Sequence, residues 1–431
     1  MTTTPPTPSA PAATPVISAP LPGLLGELVR CLDDRLAVPA PVGSALVIQA
    51  LSAALGPSAR LVDDPAPSLP VELNTFVLAA AGSTLPLAWQ ALLAPLLALQ
   101  DALWSLAGEQ PTSHPDPVED QARERPLVLL NAPSFEELQA AGGRSFDGSL
   151  FVVHDAGSWE RFWPDVQAPN NGSRLRLLLR LLAGQAKVTK PGVPRREIIT
   201  LLVEVRPDAP AWQEFVTHLP ADLCSRVLVV DAGPRPTHWP IAPTLPEDLI
   251  NRWAELVKRV FAQRGRPAAL VSVSPGARRH FHQFHRELLA RAPGWAASVQ
   301  DQVFGWPVMA RRIALVLQQA GEDASQPLQP AHALAGIALA RGYGGAMLGL
   351  REAAERKLRE AGQLADRQRL IASFKKLGET DFRSVYRCMS DQSPARWAPV
   401  LDGLLADGIV LELPNGKFSL AEHQLHRLHL V

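Results

Sequence analysis

Cysteine is scarce in this chain. The three present, Cys31, Cys224 and Cys388, are far apart and form no CxxC pair. That excludes a disulfide framework or a cysteine-rich zinc site and points to a reducing cytosol. An excess of either charge is missing too, with 42 Lys and Arg against 42 Asp and Glu. No global field draws the chain to nucleic acid or membrane, so any such surface must be local. The start, MTTTPPTPSAPAATPVISAPLP, lacks the basic head and sustained apolar core of a signal peptide; residues 1–21 read as a disordered Pro/Thr/Ala lead. An unbroken membrane-length apolar run is absent as well. Gln90, Gln100 and Asp101 interrupt residues 88–106 and Pro95 kinks them, so a buried core helix and a cytoplasmic protein without membrane contact are expected.

The 431 residues, 47% apolar and 19% charged, are enough for two or three domains with a substantial core. Residues 22–38 and 41–55 read as amphipathic helices, the second stopped at Gly56-Pro57. Apolar strands are expected at 71–80, 126–130, 150–153, 197–205 and 226–230. Ser134-Phe-Glu-Glu137 forms a capping box that starts a helix, and 175–182 is helical. Strands alternating with helices predict an α/β domain over 22–245, with a mostly parallel sheet flanked by helices and a polar linker at 108–125. From 246 to 360 the pattern is helical. Over 361–431, three helices precede a hairpin turned at Pro414-Asn415-Gly416, which is the plan of a winged helix.

Two places carry the signs of nucleotide chemistry without its key residues. After the strand at 71–80 comes a small-residue turn, Gly82-Ser83-Thr84-Leu85-Pro86, where a phosphate-binding loop belongs, but it holds no lysine. The apolar strand ending at His154 is followed by Asp155, a candidate magnesium ligand, and then by Ala156 rather than a second carboxylate to orient water. Helix-start N–H groups still attract an anion, so ATP with Mg²⁺ at a remnant site is the one cofactor this arrangement admits. The competing readings are structural: Gly82-Ser83 as a tight strand–helix turn, and Asp155 as a helix N-cap. Arg206 follows one strand and fills the place of phosphate or magnesium. Arg226 opens another, either reaching a phosphate on a neighbouring subunit or pairing with a core acid such as Glu204.

These elements in this order resemble the YfjI-like family of prophage and mobile-element proteins, over roughly residues 22–350. LSAALG at 51–56, LNTFVLAAAGS at 73–83, APSFEEL at 132–138, LFVVHDAGS at 150–158, LLVEVRPDAP at 201–210 and LCSRVLVV at 223–230 carry the resemblance, with Arg226 and the Arg311-Arg312 segment matching. The resemblance implies a helicase-like P-loop ATPase domain, often found beside primase modules. Here its Ser-Gly-x-x-Lys-Ser loop, its Asp-Glu pair and its glutamine, replaced by Arg206, are all altered. No residue is therefore assigned a catalytic role. Gly82, Ser83, Thr84, Asp155, Arg206 and Arg226 form the expected remnant.

The histidines offer no metal site. His280, His282 and His285 do not share one helical face; of His423, His426 and His429, two do, which supports adventitious binding only. Ser149, His154 and Asp155 are too close along one strand to make a triad. For DNA, the winged-helix segment offers Lys375, Lys376, Arg383, Arg387, Arg396 and Lys417, but residues 351–431 hold 13 basic against 11 acidic side chains, and Asp402 and Asp407 repel phosphate. The expected function is a non-hydrolysing accessory in element replication or defence that contacts DNA, a partner ATPase or primase. The alternatives are an active translocase with an atypical loop and a purely structural homo-oligomer.

Overall fold

The computed structural model describes residues 21–63, 68–108, 126–141, 144–167, 172–183, 186–190, 193–209, 212, 215–216, 223, 225–233, 244–322, 324–389 and 393–421. Nearly all of the expected N-terminal lead and of the 108–125 linker lies outside them, as do Cys224, His423, His426 and His429. The chain forms two compact units, Met1–Arg351 and Glu352–Val431.

In the first unit, α1 (Gly23–Leu36) and α2 (Ala40–Leu55) begin the fold. From Val42 onward α2 is buried on every side, because small and apolar residues occupy its whole circumference. It packs on α1, on the sheet and on later helices. The main sheet holds β3 (Asn74–Leu78), β4 (Leu129–Asn131), β5 (Ser149–His154), β7 (Val193–Val205) and β8 (Val227–Asp231), in the spatial order β4-β5-β7-β3-β8 and all parallel. β6 (Ala186–Lys190) pairs antiparallel with the first part of β7. The connecting helices are α3 (Leu85–Gly108), α4 (Phe135–Ala141), α5 (Ala156–Gln167) and α6 (Gly172–Leu182). β3, β5 and β8 are buried along almost their whole length, as expected of strands covered on both faces. The capping box forms reciprocally: Ser134 N–H donates to Glu137 Oε2 at 2.7 Å, and Glu137 N–H to Ser134 Oγ at 3.2 Å.

The region from residue 246 is not wholly helical. Between α7 (Glu247–Phe261) and α8 (Pro275–Arg291) lies β9 (Ala269–Ser272), which pairs parallel with β1 (Ala59–Val62); β1 pairs in turn with β2 (Leu69–Pro70). α9 (Ala297–Val303), α10 (Trp306–Ala320) and the 48-residue α11 (Pro330–Leu377) follow. The strand pairing and a shared core join this region to the α/β part, so residue 245 separates no compact units. Gly344 lets α11 approach α10, since a Cβ there would lie 2.3 Å from Trp306 Nε1.

Among the described residues, three helical stretches are long and apolar enough to cross a membrane by length and composition: Ala40–Ser58, Leu85–Leu106 and Pro330–Leu377. The most apolar window of the first is 83% buried inside the protein. For Leu85–Leu106 the figure is 33%: Leu85, Trp89, Leu92, Leu93 and Leu96 lie in the core while Leu87 and Leu106 are exposed, so the expected core helix is buried on one face.

The second unit contains the C-terminal part of α11, α12 (Phe382–Arg387), α13 (Pro394–Ala406) and a hairpin of β10 (Val410–Glu412) and β11 (Phe418–Leu420). Leu370, Phe374, Val385, Trp397, Leu401 and Leu404 form its core. The hairpin closes through Leu413 N–H to Lys417 O at 2.7 Å and Gly416 N–H to Leu413 O at 2.9 Å. Thr380 adds a bridge to Phe418.

A buried guanidinium fastens the first unit. Arg264, just after α7, donates through Nε to Asp147 Oδ2 at 2.7 Å, through Nη1 to Ala53 O at 3.0 Å and through Nη2 to Ser149 O at 3.0 Å. It also lies over the Phe261 ring, 5.3 Å from its centre. The clamp joins the end of α2, the start of β5 and the turn after α7. Removing one partner of a buried pair leaves the other charge uncompensated. Arg264→Met is therefore expected to cost about 3–5 kcal/mol in urea unfolding, and Arg264→Met with Asp147→Leu less than the sum of the single losses. Additive losses would show that the pair is not coupled.

Candidate functional site

Parallel strands carry the residues that follow them to one edge of the sheet, which is where ligands bind in open α/β folds. The register places Leu78 opposite Val205 and Asp231, and His154 opposite Val203. The turn after β3, Asp155 after β5 and Arg206 after β7 therefore share that edge. Five of the six expected remnant residues come together: Gly82, Ser83, Thr84, Asp155 and Arg206.

Their interactions are structural. Gly82 takes a φ of 78°, a left-handed conformation that glycine adopts without strain. Thr84 sits at the start of α3, but its hydroxyl donates to Leu36 O, the last carbonyl of α1. Ser83 Oγ donates to Glu204 Oε1 at 3.0 Å. Asp155 is exposed and caps α5, accepting from Ser158 N–H at 2.6 Å. Arg206 is also exposed and pairs with Glu160 at 3.2 Å, so it does not fill the turn. The space over the turn is only about 20 Å³, bounded by Val38, Pro39, Ser83, Leu85 and Gly233. About 10–15 Å³ of such space holds one water, so it admits a water or two and not a triphosphate. The α1–α2 connection and Leu85 thus occupy the place a phosphate chain would need.

Arg226 does not join this group. It precedes β8 and so lies at the opposite edge of the sheet. There it faces Glu72 at 3.7 Å, not Glu204. Arg312 completes the cluster, donating to Pro70 O and Ser225 O at 3.1 Å each. Burial, together with the Arg226 charge, pushes the Arg312 pKa down to about 9, against the pull of Glu72.

Two buried groups on the C-terminal edge play parts other than those the sequence suggested: Glu204, expected as a partner for Arg226, and His154, named only in an excluded triad. Glu204 accepts from Ser83 and from the Ala156 N–H, and burial raises its pKa above the usual carboxylate value. Its signal was an acid near the end of the apolar run IITLLVEV. His154 is fully buried between Trp159 and Phe162, with Nδ1 3.3 Å from Ser158 Oγ. Ser158 Oγ itself donates to the Asp155 carbonyl at 3.0 Å, so the pair is a packing element and not a nucleophile with its base.

In the second unit all six expected DNA contacts are exposed. Arg396 pairs with both oxygens of Asp366 at 3.1 Å, and Lys417 with Glu379 at 3.7 Å. Among the described residues, Lys375, Lys376 and Arg383 meet no carboxylate. Arg387 projects from the last turn of α12. Asp407 pairs with Arg367, while Asp402 is exposed on α13. On α8, His282 and His285 are exposed and His280 is half-buried. Among the described residues no group of three or more His, Cys, Asp or Glu side chains could hold a metal.

Compared with protein-family models and with curated proteins, the chain matches none.

Burial pushes the His154 pKa from 6.5 down to about 4, with Asp155 opposing weakly. The unfolded chain then binds the extra proton first as pH falls. The stability this neutral imidazole contributes is complete above pH 6.5 and is lost as pH falls to about 4. Each pH unit of that window is worth about 1.4 kcal/mol, which makes the loss about 3 kcal/mol in all. His154→Phe fills the same aromatic niche and should flatten the stability–pH curve between those limits. An unchanged slope in urea titrations across that pH range would reject the assignment.

Proposed function

We propose that this chain is a non-hydrolysing relative of the helicase-like P-loop ATPases, acting in the cytoplasm as a binding accessory in the replication or defence of a mobile genetic element. The observation that carries this reading is the filled turn. The parallel sheet is compatible with a P-loop fold and gathers the turn and the metal-position aspartate at one edge, yet among the described residues the cation there, Arg206, is paired with Glu160 and the cavity over the turn is only about 20 Å³. The hydroxyl next to the turn donates to a carbonyl, and the aspartate caps a helix. With no group to neutralise the phosphates or align water, the chemistry lacks its electrostatic component. No steady ATP turnover is expected from the purified protein with Mg²⁺, alone or with DNA. Turnover that disappears in Asp155→Ala would overturn the proposal.

The second unit is the binding element of this reading. Three helices, a hairpin and the Thr380 bridge support a winged-helix assignment. Its α13 face shows Asp402, which disfavours the usual insertion of that helix into the major groove. Lys375, Lys376 and Arg383, exposed and without carboxylate partners, favour phosphate contact from the end of α11 and from α12 instead. If they touch DNA, changing all three to Gln weakens binding for every sequence and makes the salt dependence of log K shallower by about 2–3. DNA binding insensitive to salt, or unchanged in the triple variant, assigns the unit to docking a protein such as a partner ATPase or primase.

A further inference from the structure

A further group of arginines lies on α8. This helix carries Arg278, Arg279, Arg286 and Arg291 against one acid, Glu287. Arg279, His282, Gln283 and Arg286 recur at helical spacing and form one exposed stripe. The stripe is one wall of a cavity of about 950 Å³. Leu61 from β1 and Phe304, Pro307 and Val308 from the start of α10 give the cavity an apolar floor.

The nearby carboxylates are already engaged. Asp63 receives Arg278 Nε at 2.8 Å and Arg311 Nη2 at 3.3 Å. Glu287 receives Arg341 and, at 3.1 Å, Gln283. Among the described residues this leaves Arg279 and Arg286 with no acidic partner, seven positions and roughly 10 Å of helix apart. A planar guanidinium matches phosphate through two parallel hydrogen bonds. The volume is within the range of small-molecule sites, which are mostly apolar with a few placed polar groups.

We infer that this cavity binds a nucleoside di- or triphosphate, its phosphates held by Arg279 and Arg286 and its base lying on the Phe304–Val308 floor. A ligand of this kind answers both halves of the cavity: several negative charges for two unpaired arginines, and a flat face for the apolar wall. The site is separate from the turn after β3, so it stands whether or not the protein hydrolyses ATP.

The test is calorimetric titration of the full chain with ATP, GTP, inorganic pyrophosphate and a single-stranded oligonucleotide, at two salt concentrations. The nucleotides are expected to bind and to weaken as salt rises. Arg279→Ser with Arg286→Ser, both at exposed positions, should cost them at least about tenfold in affinity, as loss of charge-assisted hydrogen bonds implies. Val308→Trp, which fills the floor, should weaken the nucleotides while leaving pyrophosphate binding unchanged. Asp155→Ala should leave all of it unchanged. The inference is overturned if no nucleotide binds at millimolar concentration, if the arginine double variant binds as well as the native protein, or if Asp155→Ala abolishes binding. It is overturned equally if only the oligonucleotide binds, which would make the arginine stripe a polyanion surface rather than a pocket.

Discussion

One carboxyl group, that of Glu204, holds together the edge of the sheet where chemistry would be performed. Its strand, β7, lies between β3 and β5, so a single side chain at its end reaches both neighbours. It accepts from Ser83 in the turn after β3, at 3.0 Å, and from the backbone of Ala156 at the start of α5. A buried carboxyl is costly unless its oxygens are satisfied, and these two donors satisfy it. They are also the donors that a phosphate or a metal-bound water would have used. The edge is closed by the same interaction that stabilises it.

Buried arginines organise the rest of the first unit in a similar way. Arg264 with Asp147, Arg312 and Arg226 with Glu72, and Arg311 with Asp63 each connect segments far apart in sequence. Arg264, Arg312 and Arg311 also each reach a backbone carbonyl or an aromatic ring, so these guanidinium groups are satisfied by more than an acid. Ion pairs of this kind add little net stability over apolar replacements. What they supply here is placement. α2, buried all round by small and apolar side chains, offers neighbouring helices few distinguishing contours; the Arg264 hydrogen bond to Ala53 ties the turn after α7 to its C-terminal end, and Arg311 and Arg312 tie α10 to Asp63, Pro70 and Ser225. The helices from residue 247 to Arg351 therefore belong to the same compact unit as the sheet.

Much of this fold is legible in the sequence because its signals are local. The apolar strands, the Ser134–Glu137 capping box and the Asn415-Gly416 hairpin are each specified by adjacent residues, and all are present. β9 was not legible: it has four residues, only one of them buried, and its partner β1 lies some two hundred positions earlier. α11 runs unbroken where separate helical stretches were read, since Gly362 leaves no gap in its backbone. Arg226 was grouped with the turn by motif order, although chain direction already argued against it. A residue before a parallel strand lies at the other edge from residues that follow one. Glu72 and Glu204 are acids in apolar surroundings and Arg312 stands beside Arg311 before an apolar run, but which charge meets which is a property of the sheet order.

On the proposed reading, the missing lysine is not the whole reason the turn would bind no phosphate. A lysine placed at Leu85 would enter a position now 2% exposed, against Val38 and Pro39, with about 20 Å³ of space beside it. Burying an unpaired ammonium there is unfavourable, and the amine would shift toward its neutral form rather than bind phosphate. Thr84 would remain donated to Leu36, and Ser83 to Glu204. Reopening the site requires moving the α1–α2 connection, whose Pro39 and left-handed Ala37 set the path of the chain over the turn. On the proposed reading, the residues at the turn and the path of the backbone over it act together. A change in either alone leaves the cleft shut.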